Sequence, residues 1–167
     1  MRHLSSNPFA SLSCVLISLC LISGCGSGVD PDQMLADATD NNVKRLSRMY
    51  TVFQMRNSMV GPKDEVEFKE FIASHSSVRL ARIGIDLDNI DQIFSSERDG
   101  KKLIVRYGTT LEGSDRSIPV VFEAKGLGGG RLVGFSNAYS IEVNDADRYD
   151  KLMAGEEDNK VIDSDDA

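Results

Sequence analysis

The sequence predicts an α+β domain in which helices come first and a small antiparallel sheet of about four strands follows. Between residues 42 and 72, apolar residues recur every three or four positions, which is the period of a buried helix face. After residue 92, apolar runs of strand length alternate with glycine-containing turns, which is typical of hairpins. Residues 42–155 have a length that suits one domain with its own core.

A long amphipathic helix is predicted to begin at Asn42. Its apolar face consists of Val43, Leu46, Met49, Tyr50 and Phe53. Its basic residues point mostly elsewhere and are Lys44, Arg45, Arg48 and Arg56. Asp40 or Asn41 is expected to cap the first turn, because either side chain accepts a hydrogen bond from a free backbone N–H. This helix should carry a central part of the core.

A shorter helix is predicted after the chain break at Gly61-Pro62, with the proline in its first turn. The segment "KDEVEFKEFI" offers as inward residues Val66, Phe68, Phe71 and Ile72. The serine-rich stretch "ASHSSV" is predicted to be a loop. The segment "DLDNIDQIF" is predicted to form one or two helical turns before the first strand.

The second half of the domain is predicted to be strands. "QIFSSE" and "KKLIVRYG" flank Arg98-Asp99-Gly100, and Asp-Gly between apolar runs indicates a hairpin turn with positive φ at both positions. Alternation places Leu103, Val105 and Tyr107 on one face and Ile104 and Arg106 on the other. "IPVVFEAKG" and "GRLVGFSN" form a second hairpin around residues 126–130. "YSIEVNDADRYDKLM" adds a short edge strand and a last helix, and the sheet is expected to pack on the long helix.

Residues 1–24 have the layout of a secretory signal peptide. Arg2 precedes an apolar stretch from about Leu12 to Ile22, which is shorter than the roughly 20 residues that a membrane-crossing helix needs. A basic start, a short apolar core and small residues at its end are typical of a segment that is cleaved on export. The segment is therefore not expected to be part of the fold.

The residues Ile22-Ser-Gly-Cys25 resemble the lipobox of bacterial lipoproteins. The resemblance implies cleavage before Cys25, a diacylglyceryl thioether on its sulfur, and acyl chains that keep the protein on a membrane. It also implies a position in the cell envelope, facing the periplasm. In well-studied lipoproteins, an aspartate directly after the lipidated cysteine resembles a signal for retention in the inner membrane. Gly26 occupies that position here, which favours the outer membrane. The alternatives are an ordinary signal peptide with a chance cysteine, or an uncleaved anchor.

Charge and cysteine content narrow the function classes. The chain has a net charge of −7, and removal of Arg2 with the signal leaves −8. Residues 156–167 carry −5 of this charge and are expected to be a disordered acidic tail, whereas residues 25–41 form a short tether. This balance argues against nucleic acid as a partner. Cys14 and Cys20 lie in the signal, so the mature chain has no intramolecular disulfide.

The glycine-rich and acidic segments are predicted to be structural. "GLGGGR" is followed by a strand rather than by the helix N-terminus that a phosphate-binding loop needs, so it is expected to be a hairpin loop. Asp86, Asp88 and Asp91 do not fit the calcium-loop pattern, since Ile90 takes its fifth position. Helix capping is expected for these acids, and also for Asp145 and Asp147 at the start of the last helix.

No catalytic residue, cofactor site or metal site is predicted. His75 has no second histidine or cysteine to share a zinc ion, and the neighbouring Ser74, Ser76 and Ser77 are poorly suited to form a triad with it. An acid–base pair drawn from Glu97, Asp99 and Glu123 is an alternative, although a solvated sheet face is expected for them. Cys25 is the one modified residue that the sequence predicts.

A second resemblance covers residues 42–153. "NNVKRLSRMYTVFQMRN", the Gly-Pro break and the following sheet resemble the soluble part of type IV pilin-like and general-secretion pseudopilin proteins. "GPKDEVEFKEFI", "IDQIFSSERDGKKLIVRYG" and "PVVFEAKGLGG" resemble more closely a group of uncharacterised exported proteins of planctomycete bacteria. These resemblances imply a fold like the pilin head and an envelope compartment. The long apolar helix that builds pilin filaments is replaced here by the lipobox.

Two functions follow as hypotheses. The first is a structural or protein-interaction module of the cell envelope that docks a partner on a sheet edge or on the long helix. The alternative is a periplasmic small-molecule binder or an enzyme that depends on carboxylates. A deep pocket with at least two convergent ionisable groups would favour the alternative, and a flat surface with an exposed apolar patch would favour the interaction module.

Overall fold

The computed structural model describes residues 41–111 and 117–156 of the 167-residue chain. The helices are α1 (Asn42–Arg56), α2 (Glu65–Ala73), α3 (Ser77–Arg82) and α4 (Ala146–Ala154), with a 3₁₀ segment at Leu87–Phe94 between α3 and the sheet. The strands are β1 (Ile104–Val105), β2 (Pro119–Phe122), β3 (Arg131–Phe135) and β4 (Ser140–Val143). The predicted signal peptide and Cys25, nearly all of the tether, and the tail from residue 157 lie outside the described residues.

The four strands form one antiparallel sheet in the order β1-β2-β3-β4, so each strand pairs with its neighbour along the chain. The α+β prediction is therefore confirmed, as are the hairpin that joins β2 to β3 and the edge position of β4. The pairing of β2 with β3 is irregular between Pro119 and Val121. All four residues of β2 are buried, as expected for a strand with both faces covered.

Helices cover both faces of this sheet. On one face, α1 packs with Val120 and Val121 in the larger core cluster. On the other face, Tyr149 and Leu152 of α4 pack against apolar side chains of β2, β3 and β4. The expectation that the sheet packs on the long helix is thus correct for one face only. The last helix, which the sequence prediction placed at the end without a packing role, covers the second face.

Helix α1 lies where its sequence predicted. The side chain of Asn41 accepts a hydrogen bond of 2.9 Å from the N–H of Lys44 and so caps the first turn. All five predicted inward residues are buried: Val43, Leu46, Met49, Tyr50 and Phe53. A polar row, Ser47, Thr51 and Gln54, is also buried on this helix. The Thr51 hydroxyl meets the carbonyls of Ser47 and Ser136 at 2.9 and 2.8 Å, which ties α1 to the end of β3.

Five local predictions differ from the structure. Helix α2 is capped by Asp64, so Pro62 precedes the helix, and Val66 is 64% exposed and not inward. Part of the predicted serine-rich loop forms the short helix α3. Helical geometry persists through Phe94, leaving a single bridge between Ser95 and Lys102 where a strand pair was predicted. In the Asp-Gly turn, Gly100 alone adopts positive φ, at 67°.

Aromatic side chains join α1, α2 and the 3₁₀ segment. The Phe68 ring of α2 meets the edges of Tyr50, Phe53 and Phe94, with centroid distances of 5.8, 6.5 and 5.9 Å. Such edge-to-face pairs are favoured by the aromatic quadrupole and add to the burial of apolar area. The Tyr50 hydroxyl also donates to the carbonyl of Arg106 at 2.8 Å, which links this cluster to the chain after β1.

Helix α1 lies in close contact with β3 at Gly134. A Cβ atom at this position would collide with the Ser47 hydroxyl and lie 3.0 Å from Cγ1 of Val43. Gly134→Ala is therefore expected to lower the free energy of unfolding by about 2 kcal/mol through overpacking. Urea unfolding followed by circular dichroism measures the change.

Ser47→Ala is the matched variant for this test. It removes the atom that the new methyl group would strike, so the double variant Gly134→Ala/Ser47→Ala should recover about half of the loss. Equal unfolding midpoints for Gly134→Ala and the wild-type protein would show that α1 does not pack on β3 at this distance.

Candidate functional site

Glu123, directly after β2, is the most deeply buried acidic residue among those described, at 1% exposure. Its carboxylate accepts hydrogen bonds from the Ser96 hydroxyl at 2.5 Å and from the Leu132 N–H at 2.8 Å. The guanidinium of Arg98 lies 3.5 Å away. The prediction that Glu123 lies on a solvated sheet face is therefore wrong, because three donors replace the water that a carboxylate needs.

Arg98 connects this buried carboxylate to the glycine-rich hairpin and to β4. Its Nη2 atom is 2.6 Å from Oε1 of Glu142 and 3.2 Å from the carbonyl oxygens of both Leu127 and Gly130. The loop carbonyls therefore face a cation. We call the group formed by Ser96, Arg98, Glu123 and Glu142 the carboxylate cluster.

In the hairpin loop at residues 126–130, three of the five backbone N–H groups donate to acceptors within the domain. Leu127 and Gly130 each donate to the other's carbonyl, at 3.0 and 3.1 Å. The Gly126 N–H donates to the Asp99 carboxylate at 2.8 Å. The prediction of a hairpin loop is confirmed. A phosphate group would have to displace these bonds, since a phosphate cradle needs unpaired N–H groups.

Helix α4 joins the carboxylate cluster through Tyr149. Its hydroxyl donates to the backbone carbonyl of Glu123 at 2.5 Å, and the guanidinium of Arg131 lies 3.6 Å from the centre of its ring. Burial raises the pKa of Tyr149 above its usual value, although the nearby Arg131 acts in the opposite direction. Tyr149 therefore stays protonated and serves as a hydrogen-bond donor.

The two other carboxylates considered for acid–base chemistry, Glu97 and Asp99, contact different chain segments. Glu97 forms an ion pair of 2.6 Å with Arg45 and accepts from the N–H of Asn42 at 3.2 Å. Asp99 accepts from the N–H groups of Lys101 and Gly126, each at 2.8 Å. Each carboxylate therefore stabilises a different contact between chain segments.

His75 lies in the loop between α2 and α3, as predicted, but it is nearly buried, at 8% exposure. Its Nδ1 atom is 2.9 Å from the carbonyl oxygen of Phe71, and its Nε2 atom is 3.2 Å from the guanidinium of Arg56. Because a guanidinium only donates, this network assigns Nε2 as the acceptor and Nδ1 as the donor. Its neighbour Ser74 donates to the same carbonyl of Phe71, at 2.6 Å.

The other acids have structural partners. Asp86 caps the 3₁₀ segment by accepting from the Asp88 N–H at 3.0 Å, and Asp145 caps α4 by accepting from the Arg148 N–H at 2.8 Å. These two capping predictions are confirmed. Asp91 instead pairs with Lys69 at 2.6 Å. Within residues 41–111 and 117–156, no three His, Cys, Asp or Glu side chains are placed to hold a metal ion.

Two open clefts meet along the 3₁₀ segment. A cleft of about 430 Å³ lies between α3 and the start of this segment, and one of about 260 Å³ lies between this segment and the start of α1. Both are bordered by Gly84 and Asp86. Beneath them, Arg45 donates to the carbonyl of Ile83 at 2.9 Å and fixes the turn before the 3₁₀ segment.

The sequence does contain a signal for the burial of Glu123. Residues two apart in a strand share a face, and Glu123 is two residues after the buried Val121. The alternation of the strand therefore predicts that Glu123, although it follows the apolar run, points into the core. What the pattern does not contain is the identity of the donors, since Ser96 and Arg98 come from a turn 25 or more residues earlier in the chain.

Comparisons with models of known protein families, with characterised proteins and with solved structures give no match to this chain. The resemblances to lipoproteins, pilin-like proteins and exported planctomycete proteins therefore stay predictions. Among the helices of residues 41–111 and 117–156, none combines the length and the apolar character needed to cross a membrane.

Glu123→Ala is expected to lower the free energy of unfolding by about 3 kcal/mol, because two hydrogen-bond donors are left unpaired and the partly exposed guanidinium of Arg98 loses one of its partners. Glu97→Ala removes an exposed carboxylate that also pairs with an arginine, and should cost less than about 1 kcal/mol. Urea unfolding of both variants measures the difference. Equal losses would place Glu123 in solvent.

The stability contributed by Asp99 is expected to depend on pH. Burial raises its pKa, but hydrogen bonds from the Lys101 and Gly126 N–H groups outweigh burial, so the pKa in the folded protein lies below the usual value. A lowered pKa stabilises the fold above about pH 4, the unfolded value, and this contribution is lost as the pH falls through the folded pKa.

Asp99→Asn should therefore unfold more easily than the wild-type protein at pH 6, and the gap between the two should narrow towards pH 3. Urea unfolding across this range measures the gap, and carbon NMR of the Asp99 carboxyl group reports its pKa directly. A gap of constant size would contradict the assignment.

Proposed function

We propose that the chain is a lipid-anchored protein of the bacterial cell envelope and that its folded domain is a module that binds another protein. In this proposal, acyl chains on Cys25 hold the protein on a membrane, with the outer membrane favoured, and the domain faces the periplasm. The observation that carries the anchor is the position of Cys25 in Ile22-Ser-Gly-Cys25, directly after a short apolar run.

The distance from Cys25 to the domain suits a tethered module. Sixteen residue steps separate Cys25 from Asn41, the residue that caps α1. A chain of this length reaches at most roughly 55 Å when fully extended. The domain therefore has room to meet a partner beyond the membrane surface while it stays attached.

The contacts of the ionisable side chains support a binding role over a catalytic one. A general acid or base needs a lone pair or a proton directed at a substrate. The carboxylate of Glu123 is surrounded by donors from the protein itself, and both nitrogens of His75 have protein partners. Asp99 is likewise occupied by backbone N–H groups. These groups stabilise the domain whose surface is offered to a partner.

The lipid anchor predicts a specific mass. Protein purified from its own membranes should have the mass of residues 25–167 plus acyl chains, and should need detergent to leave the membrane fraction. Cys25→Ser should abolish the added mass and either release the protein or accumulate the precursor. Intact-mass spectrometry of the two fractions makes this measurement.

Cys20→Ser is the matched control, since Cys20 lies in the predicted signal and outside the lipobox. It should leave the mature mass and the membrane fraction unchanged. An unmodified wild-type protein found wholly in the soluble envelope fraction would refute the anchor.

A further inference from the structure

Strand β4 is an edge of the sheet, and two of its residues direct their backbone groups away from it. Its register with β3 pairs Val133 with Ile141 and Leu132 with Glu142. The Leu132 N–H bonds to Glu123, and the Leu132 carbonyl accepts from the Glu123 N–H, so Leu132 faces β2. Because hydrogen-bonded pairs alternate in an antiparallel ladder, Ile141 bonds to β3, whereas Ser140 and Glu142 face outward.

Among the described residues, the outward groups have no backbone partner. No backbone hydrogen bond from Ser140 or Glu142 to another element occurs within residues 41–111 and 117–156 beyond the β3 pairing. Glu142 is exposed and Ser140 is half-buried. Helix α4 packs on the face of the sheet, in the core cluster that contains Val143 and contacts Ile141. An edge with free N–H and C=O groups is a template for another strand.

Side chains divide the edge into an apolar row and a polar row. Ile141, which is half-buried, and the buried Val143 lie on the α4 side, and Tyr139, directly before β4, is 54% exposed. Ser140 and Glu142 alternate on the α1 side, where Glu142 contacts Arg98 but keeps 47% of its side chain exposed. An added strand would therefore meet apolar contacts on one side and a negative charge on the other.

We infer that β4 is the docking edge of this module and accepts an extended segment of a partner protein as a fifth strand. The segment that fits alternates in character, with an apolar residue beside Ile141 and a Lys or Arg beside Glu142. This inference rests on the proposed function, because it names the surface that the binding module uses.

A second copy of the chain fits this edge less well than a partner segment does. Two copies of β4 can pair about a two-fold axis at Ile141 of the strand Ser140–Val143. Such a pairing leaves both Glu142 carboxylates without a new cation. A basic, alternating segment supplies that cation.

The test uses the full-length mature protein in detergent and the peptide acetyl-Thr-Val-Lys-Val-Thr-Val-Lys-amide. Binding should slow hydrogen exchange at the amides of Ser140 and Glu142, measured by NMR, and should leave Ile141 protected as before. The same peptide with N-methyl groups on alternate residues cannot complete the ladder and should bind at least tenfold more weakly. Failure of the unmethylated peptide to bind would overturn the inference.

Two variants of one residue separate the edge from its charge. Glu142→Thr and Glu142→Pro both lose the carboxylate, but only the proline removes the outward N–H, and proline is tolerated at such edge positions. Affinity for the peptide should fall at least tenfold further in Glu142→Pro than in Glu142→Thr. Equal affinities in the two variants, or equal binding of the two peptides, would overturn the inference.

Two other readouts keep this inference distinct from the proposed function. Glu142→Pro should stay in the membrane fraction, because lipidation at Cys25 does not depend on β4; a soluble wild-type protein would refute the anchor without bearing on peptide binding. Sedimentation analysis of the wild-type protein should show monomer. A dimer that Glu142→Pro abolishes would assign the edge to a second copy and overturn the partner strand.

Discussion

Burial of the Glu123 carboxylate is the constraint on which one half of the fold, the half that contains the hairpins and α4, depends. A carboxylate taken out of water is stable only when donors surround it. Here the donors come from the turn before β1, from Arg98 and from β3, while the backbone carbonyl of the same residue holds Tyr149 of α4. Segments distant in sequence must therefore be in place together before this group is satisfied, which makes the arrangement specific as well as stable.

Helix α1 organises the other half through packing. Its apolar residues meet α2, the 3₁₀ segment and one face of the sheet, and Phe68 is the ring on which several aromatic edges converge. Gly134 lets the helix approach β3 closely enough for the Ser47 hydroxyl to lie above it. The two halves meet at β2, whose residues are buried on both sides. A strand in this position leaves little freedom in how α1 and α4 are placed.

Local patterns in the sequence predicted the elements that local physics determines. The helical period and the cap at Asn41 located α1, and the glycines of residues 126–130 located the hairpin. Tertiary contacts decided the rest. Val66 is exposed although it lies in the apolar pattern of α2, and the chain before Asp99 stays helical through Phe94. Most partners of Glu123 come from segments distant in the sequence, so a local periodicity of two or four residues does not predict them. Cys25, the residue predicted to be modified, is recognised by sequence alone, since it lies outside the described residues.

The same cluster that satisfies Glu123 also changes the character of the sheet edge. Edge strands commonly carry a charge that discourages pairing with other strands. Glu142 is placed to act in this way on β4, but Arg98 lies 2.6 Å from its carboxylate and compensates part of its charge. Arg98 is held there by the loop carbonyls of Leu127 and Gly130 as well as by Glu123. Contacts within the domain thus hold Arg98 beside Glu142. This cation weakens the effect by which the charge of Glu142 discourages pairing at the edge. An edge that is short and only partly protected is suited to selective pairing with a basic strand, because the remaining negative charge still opposes acidic strands.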